Sequence, residues 1–263
     1  MAGKSHDVEK SQSLDEAIRE FPHVKKYIQS LDKRPEWLME LPRERDYSHP
    51  NFVYPVGNPI FVHIYKDEKE RVMYHVIEPR LTEEEEDLYN QAVDKLVSLS
   101  YKKPVPDKVE DIGPVLLDLL DDILVTEEEE SSFFSFSKDT IVVTEDQYEK
   151  IKYYLIRNRV GYSKLQPLFY DPYLEDIHCT GVGNIKTQHK RFDMVYTNIE
   201  FRDDEELDSY ILDVTERVER PVSDSHPVVD SIMPDGSRAN FLYSREISKE
   251  GSSFTLRKFS ETP

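Results

Sequence analysis

The sequence predicts an α+β protein: an antiparallel sheet with flanking helices in the carboxyl-terminal half, preceded by a smaller α+β domain and a helical amino-terminal arm. Three observations predict it. Short runs rich in β-branched and aromatic residues alternate apolar with polar side chains, as in "NIKTQH" (184–189) and "DMVYTNIEF" (193–201). Tight turns join such runs, Lys66 to Glu70 and Lys190 to Phe192, which favours antiparallel neighbours. Between them lie helical periods that open on capping residues. At 263 residues the chain is long enough for two cores, and 38% hydrophobic residues with 16 Tyr and 12 Phe can fill them.

In chain order, residues 1–50 are polar and Pro-interrupted. They contain one helical pattern, "LDEAIREFPHVKKYIQSL", that spaces Leu14, Ile18, Val24 and Ile28 along one face, and they read as a partly disordered helical arm. Residues 51–130 form the smaller, acidic α+β domain. It opens on a hairpin, "NPIFVHIYKDEKERVMYHVIEP", and continues into "LTEEEEDLYNQAVDKLVSL". There Thr82 as N-cap and Glu85 three residues later make a capping box, so the acidic run sits at the positive end of a helix. A second helix is expected from Pro114 to about Val125, turning Leu116, Leu117, Leu120, Ile123 and Leu124 inward. The stretch "TEEEESSFFSFS" (126–137) sets an acidic run before small residues and reads as an interdomain linker over 131–137.

Residues 138–258 form the second domain. It begins with a short strand and a helix from about Glu145 to Arg159, then "PLFYDPYLEDIHCTG" with its short strand, then the two alternating runs named above. A helix capped by Asp203, with Glu206 three residues on, buries Leu207, Ile211, Leu212 and Val218. A final hairpin, "SIMPDGSRANFLYS" and "SSFTLRKF", completes the sheet.

A balance of 53 acidic against 34 basic residues gives a net charge of −19, which argues against nucleic acid or an anionic membrane as a whole-surface partner. The single cysteine, Cys179, excludes an internal disulfide framework and a cysteine zinc cluster, and reads as a small core residue. The eight histidines show no helical metal-ligand spacing, so no metal site is expected. Asp224, Ser225 and His226 are sequence neighbours, which does not make a triad. Gly3-Lys4-Ser5 has no room for the first glycine of a phosphate loop, and "GVGNIK" (181–186) has a lysine where a dinucleotide fingerprint needs its third glycine. What remains is Arg238 and Arg257, each placed on a strand of the last hairpin. A guanidinium is always charged and its planar fork fits carboxylate or phosphate oxygens, so both are candidate anion contacts.

Four blocks, "DPYLEDIHCTG" (171–181), "TNIEF" (197–201), "PVVDSIMPDGSR" (227–238) and "EGSSFTLRKFSETP" (250–263), come in the order and spacing of the amino-terminal domain of type II/IV secretion ATPases. The chain resembles the archaeal branch of that family, which powers pilus, archaellum and secretion assembly. The resemblance implies a PAS-like unit joined by a linker, beginning at 259–263, to a RecA-like motor domain that carries the phosphate loop. It implies ATP and Mg as cofactors of the full-length enzyme and Arg238 and Arg257 as arginine fingers that close onto the ATP phosphates. Its partners would be that motor domain, further copies in a homo-hexamer and an integral-membrane platform protein, at the cytoplasmic face of the cell membrane. The chain by itself should not hydrolyse ATP, because it lacks a phosphate loop. The rival reading is a free-standing PAS-like adaptor or sensor with an acidic docking arm.

Overall fold

The computed structural model describes residues 11–102, 106, 111–127, 140–243 and 251–259. It is an α+β structure with a large, mostly antiparallel sheet and, among the described residues, seven α-helices. The chain divides into two compact units, residues 1–78 with 167–263, and residues 79–166.

The first unit holds a ten-stranded sheet. Its strands are β1 (Glu36–Trp37), β2 (Asn51–Gly57), β3 (Ile60–Lys66), β4 (Val72–Ile77), β7 (Leu174–Cys179), β8 (Gly183–His189), β9 (Asp193–Phe201), β10 (Val228–Ile232), β11 (Arg238–Leu242) and β12 (Ser253–Arg257). They run in the order β1-β2-β3-β4-β9-β8-β7-β12-β11-β10. Only β1 with β2 and β4 with β9 pair in parallel.

Two helices, α1 (Leu14–Glu20) and α2 (Pro22–Gln29), lie where one helical pattern was expected. Pro22 forces the residue before it out of the helical region, and Phe21 accordingly sits at φ −116°, ψ 106°. The break lets the two short helices bury Leu14, Ala17, Val24 and Ile28 with Val53, Phe61 and Ile77 of the sheet. Residues 14–29 are therefore more than an arm, since they close one face of the sheet.

The expected division of the chain also differs from the observed one. The hairpin of residues 51–77 does not stand apart with 79–130: Met73 and Tyr74 of β4 register against Tyr196 and Thr197 of β9, and Asn198 bonds both the N–H and the carbonyl of Val76. One sheet thus spans stretches 97 or more residues apart in sequence, a pairing that local pattern does not encode. On the other face of the sheet, α7 (Asp204–Arg217) brings Tyr210 against Phe201 and Phe254, with ring centroids 5.2 and 5.6 Å apart. Its N-cap is Asp203, as expected, accepting from the Glu206 N–H at 2.8 Å.

The second unit packs α3 (Glu83–Leu99), α4 (Ile112–Asp121) and α5 (Glu145–Arg159) around a core of Ala92, Leu96, Leu119, Leu120, Ile123, Ile151 and Leu155. The Thr82–Glu85 capping box is present in both directions, and Thr144 with Gln147 makes a second one. The helix expected to reach Val125 ends at Asp121. Residues Leu124–Thr126 instead form β5, paired in parallel with β6 (Ile141–Val143), because β-branched Val125 and Thr126 gain a ladder there. The stretch 131–137, read as a linker, and residues 260–263 lie outside the described residues. No described helix is long and apolar enough to cross a membrane.

Candidate functional site

At the β7-β12-β11-β10 end of the sheet, alternation sorts side chains onto two faces. Ala239, Phe241, Phe254 and Leu256 are buried, and Arg238, Asn240, Thr255 and Arg257 are exposed. The register then aligns the exposed set across strands. Arg238 is opposite Arg257, and Arg257 is opposite Asp176 of β7. One step along, Asn240 faces Thr255, Thr255 faces His178, and His178 faces Lys186 of β8. The structure therefore brings the two expected arginines together as direct cross-strand partners, where side chains start about 5 Å apart. Like charges so placed repel, and among the described residues only one of them has an offsetting carboxylate.

Arg257 is the offset one. Its Nε donates to Asp176 Oδ1 at 2.9 Å and an Nη to Oδ2 at 3.3 Å, a two-pronged ion pair in which the arginine side chain keeps 74% exposure and the aspartate 21%. Arg238 has no hydrogen bond or ion pair to another described residue. A pairing of Arg238 with Asp235 is not seen: the Asp235 carboxylate accepts from the Ser237 N–H at 3.2 Å and hydroxyl at 2.7 Å, and Glu246 lies outside the described residues.

The turn that launches Arg238 is Pro234-Asp235-Gly236-Ser237, closed by Met233 N–H to Ser237 carbonyl at 2.7 Å. Gly236 has φ +85°, which favours glycine, and a Cβ there would press on the Phe259 ring at 3.3 Å. Phe259 in turn donates its N–H to Ser237 Oγ at 3.0 Å.

Behind the site lies a buried polar cluster that sequence reasoning missed. Lys258, next to Arg257, points inward and donates Nζ to the carbonyls of Leu168, at 2.9 Å, and Asp171. Burial pushes its ammonium down to about 8, against the opposing pull of the Asp171 charge. Asp171, fully buried, accepts from the hydroxyls of Tyr54 and Tyr74 at 2.6 and 2.7 Å and from the Tyr173 N–H at 2.8 Å. His189 nearby is held neutral, pushed down to about 4 by burial, and its Nε2 has no partner. The signal for Lys258 was the Arg-Lys dipeptide on a strand, where one side chain must face out and the next in. Asp171 carried no such signal, because the two tyrosines that enclose its carboxylate are 117 and 97 residues away.

The remaining candidates do not assemble. Ser225 Oγ lies 3.1 Å from His226 Nδ1 on an exposed turn, and Cys179 is buried with its thiol toward the Gly181 carbonyl. Among the described residues no group of three or more His, Cys, Asp or Glu could hold a metal ion.

No protein family model matches the chain. Its relatives include two proteins of the archaeon Methanocaldococcus jannaschii. The uncharacterized protein MJ0900 is 40% identical over 262 residues, covering 95% of this chain and 48% of its own length. The uncharacterized protein MJ1288 is 33% identical over 189 residues, covering 70% of this chain and 69% of its own. The chain thus spans about half the length of MJ0900. Among solved structures, the VirB11 ATPase of the Brucella suis type IV secretion system, in complex with sulphate, is similar over 38% of this chain and 29% of its own, at 26% identity and a TM-score of 0.33.

Proposed function

The chain belongs to the family of the archaeal protein MJ1288, and from the sequence blocks that resemble secretion ATPases we propose that it is the regulatory, nucleotide-contacting portion of a hexameric ATPase that powers protein secretion or the assembly of a pilus or archaellum. The observation that carries the reading is the pairing of Arg238 and Arg257 across β11 and β12 on an open sheet face. Two of the sequence blocks that resemble secretion ATPases contain Arg238 at the start of β11 and the whole of β12. Every piece of this face is rigid: the arginines sit on strands, and a hydrogen-bonded turn fixes the start of β11.

Their chemistry suits phosphate. Two guanidiniums offer ten N–H donors in planar forks, while the face supplies two carboxylates near them, Asp176 and Asp230, each already engaged, one by Arg257 and the other by the Asn240 amide at 2.8 Å. The donor set therefore fits the phosphates of ATP and does not fit Mg²⁺, which falls to the motor domain in this reading. Delivered by domain closure, the arginines stabilise charge on the transferring phosphoryl group only in the closed state, which is where rate is gained. The same reading makes the assembly peripheral to the cytoplasmic face of the membrane, docked on an integral-membrane platform.

The test is the protein produced by reading the native gene past Pro263. A G-x-x-x-x-G-K-[ST] loop is expected there, and a stop codon in its place favours the adaptor. In that protein Arg238→Ala and Arg257→Ala should each lower ATP hydrolysis by about 10²- to 10³-fold. Hydrolysis at the parental rate in both variants removes the reading.

A further inference from the structure

Arg257 stands between two opposite neighbours in the register, Arg238 on β11 and Asp176 on β7. Resting on the nucleotide reading of this face, we propose that Asp176 is an exchangeable stand-in for phosphate, which occupies the fork of Arg257 until a multiply charged phosphate group displaces it.

Geometry supplies the first argument. Asp176 takes Nε and an Nη of Arg257 on its two oxygens, the same paired use of the fork that a phosphate group makes. The second argument is one of strength. With the arginine side chain 74% exposed, this pair belongs to the class of surface ion pairs that contribute little, so exchange costs little. The third is asymmetry. Among the described residues Arg238 carries no such partner and meets an anion first, whereas Arg257 joins only when the newcomer outcompetes a carboxylate. Asp176 itself stays in place, since its side chain is only 21% exposed. Once released, its charge faces the newcomer. A singly charged anion is held by Arg238 alone and leaves Asp176 in the fork, while a phosphate chain that reaches both arginines offsets this repulsion with the second guanidinium. Asp176 therefore acts on specificity, as a positioning residue, and makes the arginine pair selective for polyphosphate over simple anions.

The probe is inorganic pyrophosphate, titrated into the 263-residue chain while the arginine Nε–Hε resonances are followed by NMR, with acetate as the singly charged comparison. Asp176→Asn should tighten pyrophosphate about five-fold and acetate at least as much, so that the preference for pyrophosphate does not grow. Asp176→Glu, which keeps the carboxylate, should bind as the parent does. Adding Arg257→Ala to Asp176→Asn should abolish the gain. Affinity that is unchanged or weaker in Asp176→Asn overturns the proposal, and so does a chain that binds pyrophosphate in neither form. The two readings fail separately. Arginine-independent ATP hydrolysis with tighter pyrophosphate in Asp176→Asn removes the nucleotide reading alone, while arginine-dependent hydrolysis with unchanged pyrophosphate affinity removes the exchange alone.

Discussion

At the β2–β4 end of the sheet both faces are covered. Helices α1 and α2 seal Val53, Phe61 and Ile77 on one side, and Tyr47, Tyr173 and Phe192 lie over Phe52 and Tyr54 on the other. At the β10–β12 end α7 covers one face only, and the other presents Arg238, Arg257 and, on the edge strand, Val228 and Ile232 to solvent. The strands are alike in length and propensity. They differ in that β2 is buried at five consecutive positions, while β11 and β12 alternate. Continuous burial follows from cover on both faces, and alternation with charge outward follows from cover on one.

This contrast can be broken by substitution. Phe61→Ala, at the meeting point of Phe21, His23 and Trp37, should cost about 3–5 kcal/mol in a denaturant melt, because the two short helices cannot close the hole it leaves. A loss below about 1 kcal/mol would mean that α1 and α2 are not part of the core.

Acid should act on the same end. His63, pushed down to about 4 by burial, takes the Tyr27 hydroxyl on Nδ1 at 2.8 Å and has Nε2 2.9 Å from Asn51 Oδ1, which requires the proton on Nε2 and leaves the ring neutral. His189 is held to about 4 as well. An unfolded histidine titrates near 6.5, so from there down to about pH 4 the unfolded chain binds protons that the folded chain does not. Stability should be complete above that window and fall through it, by about 2 kcal/mol per imidazole between pH 7 and pH 5. The slope should shrink in His63→Gln, and an unchanged slope would assign it to other groups.

The smallest effect belongs to the open end. Arg238→Ala and Arg257→Ala should each change stability by less than about 1 kcal/mol, since one is exposed with no partner among the described residues and the other has an exposed ion pair. A drop of several degrees in Tm for Arg257→Ala would make the arginine a brace.

How much of this was legible follows the range of the interactions. The capping boxes at Thr82, the cap at Asp203 and the strands bearing Arg238 and Arg257 all depend on residues within a few positions, and the sequence shows them. Thr144 and Gln147 have the same spacing and could have been read the same way. The single helical pattern hid a break because apolar spacing was weighed above Pro22. The joint of β4 with β9, the enclosure of Asp171 by Tyr54 and Tyr74, and the pairing of Arg257 with Asp176 each join positions far apart in sequence. Asp176 lay in plain view in "LEDIH", yet its role appears only when β7 is set beside β12.

The exit from β12 has a mechanical meaning. Lys258 anchors the strand end to the carbonyls of Leu168 and Asp171, and one residue later Phe259 is tied to Ser237 and leans on Gly236. Traction on the backbone at residue 259 therefore loads two points at once, the segment after α6 (Gln166–Tyr170) and the turn that begins β11. Neither arginine strand can slide past the other without breaking one of these ties, so a pull arriving here moves Arg238 and Arg257 as one rigid tool.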